Sequence, residues 1–127
     1  MANNYERISA KVDRGVLILT IEPYRITEYE LAEAIGRELI AAVVEHNATK
    51  VVVDLANVQY MGSVGYGPLI SLRGRIRASG GRLVLCNMAP IIHELFETTR
   101  LLVNPNSPQS LFEFTSSVES AVSLLQT

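Results

Sequence analysis

The stretch Tyr60–Pro68 concentrates the residue types that could carry chemistry in this chain. It contains one hydroxyl of interest, that of Ser63, among three glycines. An apolar run, Val51–Leu55, precedes it, and a segment with helical spacing, Leu69–Arg77, follows it. Pro68 fits only the first turn of a helix. The sequence therefore predicts a strand that delivers Ser63 to the start of a helix.

Ser63 has two interpretations at that position. Its side-chain oxygen could act as the N-cap, by accepting a hydrogen bond from an N–H group of the first turn. The same N–H groups and the helix dipole favour negative charge, so the hydroxyl could instead carry a phosphate that the helix tolerates. The residues alone leave the plain cap and the regulated hydroxyl both open.

The neighbours of Ser63 have their own alternatives. Gly62, Gly65 and Gly67 predict unusual backbone dihedral angles or a close backbone approach. A phosphate-cradling loop is the other interpretation, but the spacing matches neither a P-loop nor a dinucleotide fingerprint, and no lysine follows. Tyr66 is expected to pack at the edge of the core; if exposed, it would be a good anchor for a partner.

Elsewhere the sequence offers few groups for catalysis or metal binding. His46 and His93 are far apart, and no cluster of His, Cys, Asp or Glu has metal-ligand spacing. Cys86, on a predicted buried strand, is interpreted as a small hydrophobe. Asp54, at the end of a strand, is interpreted as a loop-capping carboxylate. We therefore expect no catalytic residue, no metal and no cofactor.

Composition and charge indicate an ordinary globular chain. Hydrophobic residues make up 48% and charged residues 19%, which excludes the disordered class. The net charge of −2 argues against nonspecific nucleic-acid binding, and one cysteine fits a reducing compartment. Neither a signal peptide nor an apolar run of membrane-spanning length is visible. We expect a single domain over residues 1–127, cytoplasmic and without membrane insertion.

The apolar periodicity predicts the elements in order. Residues 5–22 form an antiparallel hairpin with Gly15 in its turn. A capping box at Thr27–Glu30 opens a helix that runs to about His46 and is stopped by Asn47. The remaining predicted elements are strand Lys50–Leu55, helix Ser63–Ser79, strand Arg82–Asn87, helix Ile91–Thr99, a strand or packed loop at Leu101–Val103, loop Asn104–Pro108, strand Leu111–Phe114 and a last helix opened by a capping box at Ser116–Glu119.

This order predicts an α/β fold in which right-handed parallel βαβ units join an antiparallel hairpin. The mixed sheet would pack with about four helices, with the valine-rich strand Lys50–Leu55 at its centre. Gly36, inside the first helix, is interpreted as allowing close packing. Arg73, Arg75 and Arg77 are interpreted as a solvated face, with a rim for an acidic partner as the alternative.

The chain resembles the STAS domain, the fold of bacterial anti-anti-sigma factors, over nearly all of its length. The strand and turn Val51–Val58 are similar to the family's strand that ends in Asp-Leu. Met61–Gly67 stands where the family usually has Ile-Asp-Ser-Ser-Gly-Leu-Gly. Ala78–Leu85 resembles the family's Gly-Gly turn between helix and strand, and Pro90–Leu101 resembles its short third helix.

The resemblance implies a regulatory, non-enzymatic role. In such proteins the first serine of the motif is phosphorylated by a serine kinase of the histidine-kinase-like ATPase class, which is also the anti-sigma factor. Ser63 occupies that position, so the resemblance implies phosphorylation at Ser63 and partner binding through Gly62, Ser63, Val64, Gly65 and Tyr66. Gly62 stands in place of the family's aspartate, and Val64 in place of its second serine.

Other functions stay open at this point. An unswitched STAS module is one, either a stressosome-type component or the small subunit of an ABC lipid-transport complex. A small enzyme or nucleotide binder is another, although it needs a pocket with convergent polar groups that the sequence does not reveal. The sequence also leaves a homodimer open.

Overall fold

The residues that the computed structural model describes, 5–98 and 112–126, form seven strands and four helices. In chain order they are β1 (Ile8–Asp13), β2 (Val16–Ile21), β3 (Arg25–Ile26), α1 (Tyr29–His46), β4 (Lys50–Asp54), β5 (Tyr60–Met61), α2 (Tyr66–Ala78), β6 (Arg82–Cys86), α3 (Pro90–Thr98), β7 (Glu113–Thr115) and α4 (Val118–Leu125). A 3-10 turn, Ser63–Gly65, directly precedes α2. The predicted segments at Leu101–Val103 and Asn104–Pro108 lie outside the described residues.

The main sheet has the strand order β1-β2-β4-β6-β7. β1 pairs antiparallel with β2, and the other neighbours pair in parallel. β4 is the central strand, and its valines Val51, Val52 and Val53 are fully buried. The predicted mixed α/β sheet, with an antiparallel hairpin at one edge and βαβ units beyond it, is confirmed.

Each face of this sheet has its own hydrophobic cluster. Side chains of alternate parity point to opposite faces, so Val51 and Val53 join one cluster and Val52 the other. The larger cluster packs the sheet against α1, α2 and α3, and the smaller one packs it against α4. No helix in the described part of the chain is long and apolar enough to cross a membrane.

The predicted turn at Gly15 and the predicted helix end at Asn47 are confirmed by the backbone. Gly15 has φ +78° in the β1–β2 turn, a conformation that costs a glycine little. Asn47 ends α1 in the left-handed conformation, where its N–H and that of Ala48 donate to the carbonyls of Val44 and Val43. Such bonds satisfy carbonyls that the end of a helix leaves without partners.

Both predicted capping boxes are misplaced. Glu28, not Thr27, is the N-cap of α1; it is extended, its side chain makes no capping bond, and its carbonyl accepts from the N–H of Ala32 at 3.0 Å. The last helix is capped by Ser117, one residue later than Ser116, and the Ser117 hydroxyl accepts from the N–H of Ser120 at 3.0 Å. Where several hydroxyl or acidic residues are adjacent, the backbone conformation decides which of them is the N-cap.

The sequence misses a second, very short sheet. β3 and β5 pair in parallel, Arg25 with Tyr60 and Ile26 with Met61. A strand of two residues is too short to show the alternation of apolar and polar residues, so the sequence does not predict β3 or β5. β5 ends two residues before Ser63, so its pairing with β3 fixes where the Ser63 turn begins.

Candidate functional site

The loop between β4 and the Ser63 turn is anchored to the neighbouring strand. The Leu55 N–H donates to the carbonyl of Cys86 at 2.9 Å. One oxygen of Asp54 accepts from the Ala56 N–H and from the Asn87 side-chain amide, each at 3.0 Å. Asp54 therefore caps the loop, as the sequence predicts, and its carboxylate is committed to holding β4 beside β6.

The residues just before Ser63 are tied to β3 by backbone hydrogen bonds. The N–H groups of Gln59 and Tyr60 both donate to the carbonyl of Tyr24, at 2.8 and 3.1 Å. The Gly62 N–H donates to the carbonyl of Ile26 at 2.9 Å. The backbone that leads to Ser63 is therefore held in place by hydrogen bonds at Gln59, Tyr60 and Gly62.

Gly65 fixes the turn from the other side. A Cβ at Gly65 would lie 2.2 Å from Cγ and 2.4 Å from Sδ of Met61, whose side chain is 1% exposed. Gly65 is therefore required by close approach. Gly62 has an ordinary φ of −84°, and a Cβ at Gly67 would meet no atom within 4 Å. The prediction of special backbone geometry or close approach is correct for Gly65 and wrong for Gly62 and Gly67.

Ser63 itself is exposed at the start of the 3-10 turn. The predicted N-cap role is wrong: Gly62 is the residue before the turn, α2 begins only at Tyr66, and neither helical start has a side-chain capping bond. The reason is the extra turn, closed by the Gly65 N–H on the carbonyl of Gly62 at 3.0 Å, which puts Ser63 inside the helical segment. Among residues 5–98 and 112–126, the Ser63 hydroxyl makes no hydrogen bond that holds the turn.

Beside Ser63 the two long helices form a cleft. Val64 and Pro68 line it from the α2 side, Tyr29 and Glu33 from α1, and its volume is about 260 Å³. A second cavity of about 410 Å³, lined mainly by apolar atoms, continues along the same helices and shares Pro68 with the first. The helices meet where Gly36 faces Pro68: a Cβ on Gly36 would lie 3.3 Å from the Pro68 Cβ. The predicted close packing at Gly36 is confirmed.

Tyr66 is half-buried at the end of the turn. Its ring packs edge-on against Phe96 of α3, with 5.0 Å between the ring centroids. The hydroxyl is buried and has no hydrogen-bond partner among the described residues, and burial raises the pKa of Tyr66 above its usual value. Tyr66 therefore packs at the core edge, the first of its two predicted interpretations, and links the turn to α3.

The five residues of the predicted binding turn thus have different exposures. Ser63 is exposed, Gly62, Val64 and Tyr66 are half-buried, and Gly65 is buried. The sequence did not indicate that Tyr29 and Glu33 lie beside them, because only the packing of α1 on α2 brings these side chains to the same cleft. The Tyr29 hydroxyl donates to the Glu33 carboxylate at 2.6 Å, which holds one negative charge at this rim.

The Cys86 thiol and the possible metal ligands are not placed for catalysis or metal binding in the described part of the chain. Cys86 is fully buried on β6, and burial together with the charge of Asp54 raises the pKa of its thiol to about 12. Its predicted role as a small hydrophobe is confirmed. Across residues 5–98 and 112–126, no group of three or more His, Cys, Asp or Glu side chains is placed to hold a metal ion.

Comparison with known proteins identifies the family. The family model described as the STAS domain matches residues 7–121. The chain belongs to the STAS domain family. A protein of Bordetella bronchiseptica named as an anti-sigma factor antagonist, BtrV, is 31% identical to this STAS chain over 117 residues, covering 92% of this chain and 91% of the relative.

Solved STAS structures share the fold. A protein of Thermotoga maritima that is named as an anti-sigma factor antagonist superposes with a TM-score of 0.78 at 15% identity, covering 97% of each chain. The anti-sigma factor antagonist SpoIIAA in its unphosphorylated form superposes with a TM-score of 0.64 at 17% identity, covering 94% of this chain and 97% of that one. The predicted STAS architecture is therefore confirmed, together with a relationship to anti-sigma factor antagonists.

Proposed function

We propose that this chain is an anti-sigma factor antagonist, a non-enzymatic binding module that docks on an anti-sigma factor through the Gly62–Tyr66 turn. In this proposal the partner is also a serine kinase of the histidine-kinase-like ATPase class, and phosphorylation of Ser63 ends the interaction. A partner that consumes ATP implies a cytoplasmic complex. The observation that carries the proposal is an exposed Ser63 hydroxyl that makes no capping bond within the described part of the chain, in a turn that is fixed on both sides.

The names of related proteins support the antagonist role. BtrV, the relative at 31% identity, is named as an anti-sigma factor antagonist. SpoIIAA, which shares the fold, has also been solved in a phosphorylated form. These names supply the class of partner, and the geometry of the turn supplies the residue through which the switch would act.

The fixed backbone suits a docking surface. Gly62 is bonded to β3, and Gly65 is packed on Met61, so the turn loses little conformational freedom when a partner binds. The same arrangement suits phosphorylation, because the Ser63 hydroxyl lies at the surface and no capping bond has to break before it reacts. Both roles need an accessible and preorganised Ser63.

A phosphate on Ser63 would act on the interface more than on the fold. The first N–H groups of a helical segment favour negative charge, so the turn can accept a phosphate without unfolding. The described residues that line the neighbouring cleft include Glu33 and no cation. A partner packed over this spot would therefore meet added bulk and nearly two added negative charges.

Phosphorylation is tested by incubating the protein with ATP and the kinase encoded nearest its gene. We expect the intact mass to increase by one phosphate, peptide mapping to place it on Ser63, and Ser63→Ala to stay unmodified. Phosphate at another residue, or none in the wild type, would contradict the switch.

Binding is tested with the same kinase by titration calorimetry. We expect Ser63→Asp to weaken binding at least tenfold, about 1.4 kcal/mol, because its carboxylate puts charge at the interface. Ser63→Ala should bind like the wild type. Ser123→Asp is the matched control, since Ser123 is exposed on α4 at the other face of the sheet. Equal affinities of Ser63→Asp and wild type would refute the switch.

Gly62 and Val64 favour a second candidate, an unswitched STAS scaffold or subunit. These residues replace the aspartate and second serine of the usual motif. A stressosome-type component or the small subunit of an ABC lipid-transport complex would bind its partner equally well with Ser63→Ala and Ser63→Asp, and would acquire no phosphate. Co-purification with an ABC-type ATPase would identify the transport version.

A further inference from the structure

The small sheet of β3 and β5 has an outward face. Arg25 pairs with Tyr60, and Ile26 pairs with Met61. Ile26 and Met61 are buried, so the alternation of side chains along each strand turns Arg25 and Tyr60 outward, and both are exposed. The guanidinium carbon of Arg25 lies over the Tyr60 ring, 5.2 Å from its centroid. The arginine is therefore held against an aromatic ring at the surface.

This outward face continues to the Ser63 turn. The Gly62 N–H donates to the carbonyl of Ile26 at 2.9 Å, which extends the parallel pairing by one residue and puts Gly62 beside Thr27. In agreement, a Cβ on Gly62 would lie 4.0 Å from the Thr27 Cα. Gly62 adds no side chain between Tyr60 and Ser63, so a partner that covers the Ser63 turn can also contact Tyr60.

The positive charge of Arg25 is not matched by an acid in the described part of the chain. Arg7, Arg14 and Arg82 each form an ion pair with a carboxylate, whereas Arg25 forms none across residues 5–98 and 112–126. A contact with a ring does not replace the two parallel N–H bonds that a guanidinium can make with a carboxylate. Arg25 therefore presents a positive charge that a partner could match.

We propose that Arg25 and Tyr60 form a second contact for the anti-sigma factor partner, which places a carboxylate on Arg25. This inference rests on the proposed function. Arginine and tyrosine are enriched among the residues that dominate binding free energy, and the contact with the ring restricts the arginine before the partner binds. The inference also gives a reason for the switch, because a partner that is acidic beside Ser63 would repel a phosphate added there.

The test is calorimetric titration of the full chain with the kinase encoded nearest its gene, at about 0.1 and about 1 M salt, where the screening length is about 10 and about 3 Å. We expect Arg25→Gln to weaken binding about tenfold at the lower salt concentration and by much less at the higher one, because salt screens an ion pair. Arg75→Gln is the matched control. It removes the same charge from an exposed residue in the last turn of α2, away from the Ser63 turn, and should bind like the wild type.

Two further variants separate charge from shape and from folding. Arg25→Lys keeps the charge and should recover part of the binding that Arg25→Gln loses. Tyr60→Leu keeps the charge of Arg25 but removes the ring beneath it, and should weaken binding severalfold. Damage to the fold would weaken binding equally at both salt concentrations, whereas loss of an ion pair would not.

The inference is overturned if Arg25→Gln binds like the wild type, loses no more than Arg75→Gln, or loses the same factor at both salt concentrations. If the wild type binds and Ser63→Asp weakens binding while Arg25→Gln has no effect, the inference fails alone and the proposed function stands. The absence of wild-type binding would overturn both.

Discussion

At the scale of single residues, Gly65 is the position in the Ser63 turn that has the least space for a side chain. Gly65→Ala would place a methyl group within 2.4 Å of the Met61 side chain, which is buried and would have to shift within the core. We expect a loss of about 1–3 kcal/mol in the free energy of unfolding, measured by urea denaturation.

Gly67→Ala is the control for that change. A Cβ at Gly67 meets no atom within 4 Å, and the residue lies in the first turn of α2. Alanine is the better helix former, so this variant should gain up to about 1 kcal/mol. Similar stabilities of the two variants would contradict the packing of Gly65 on Met61 described above.

The Tyr66 hydroxyl gives a second residue-scale prediction. Because it is buried without a partner among the described residues, Tyr66→Phe should leave stability at pH 7 unchanged or raise it by up to about 1 kcal/mol. The exposed Tyr24, changed to phenylalanine, is the control. A loss above 1 kcal/mol in urea denaturation would mean that the hydroxyl has a partner after all.

The same hydroxyl makes stability depend on alkaline pH. Burial raises the pKa of Tyr66, and burial with Glu45 raises that of Tyr5 to about 12. A group that holds its proton more tightly when folded contributes stability below the unfolded pKa of about 10, and this contribution is lost as the pH rises through the folded value. We expect the free energy of unfolding to fall from about pH 10 to 12, and to fall less in Tyr66→Phe.

At the scale of elements, the packing of α1 on α2 controls the cleft beside Ser63. Gly36→Val would press a branched side chain on Pro68, where a Cβ alone is already 3.3 Å away. We expect a loss of about 1–3 kcal/mol, measured by urea denaturation. Ala41→Val is the control, since it puts the same side chain at an exposed position of the same helix. Because valine is a better helix former than glycine and a worse one than alanine, a loss in Gly36→Val no larger than that in Ala41→Val would contradict the close packing at Gly36.

The strands and helices differ in how well the sequence predicts them. The unbroken valines of β4 predicted a central strand, because a strand covered on both faces needs no polar alternation. β3 and β5 were missed, because they exist only through backbone bonds to each other. The starts of α1 and α4 were wrong by one residue, since Thr27 and Ser116 each stand next to the true cap.

At the scale of the whole molecule, the order of elements and the family were predictable, whereas the surface around Ser63 was only partly so. Local sequence placed the turn between β4 and α2, but it could not show that a 3-10 turn would replace the cap. It also could not show which α1 side chains lie beside Val64, because that depends on tertiary packing.

The environment of Cys86 has a practical consequence for all of these experiments. Its thiol is the one sulfhydryl in the chain, it is fully buried, and its raised pKa keeps it protonated at neutral pH. Maleimide dyes react with the exposed thiolate form. A cysteine placed at an exposed position, such as Ser63→Cys or Ser123→Cys, would therefore accept a single fluorophore without first removing the native cysteine.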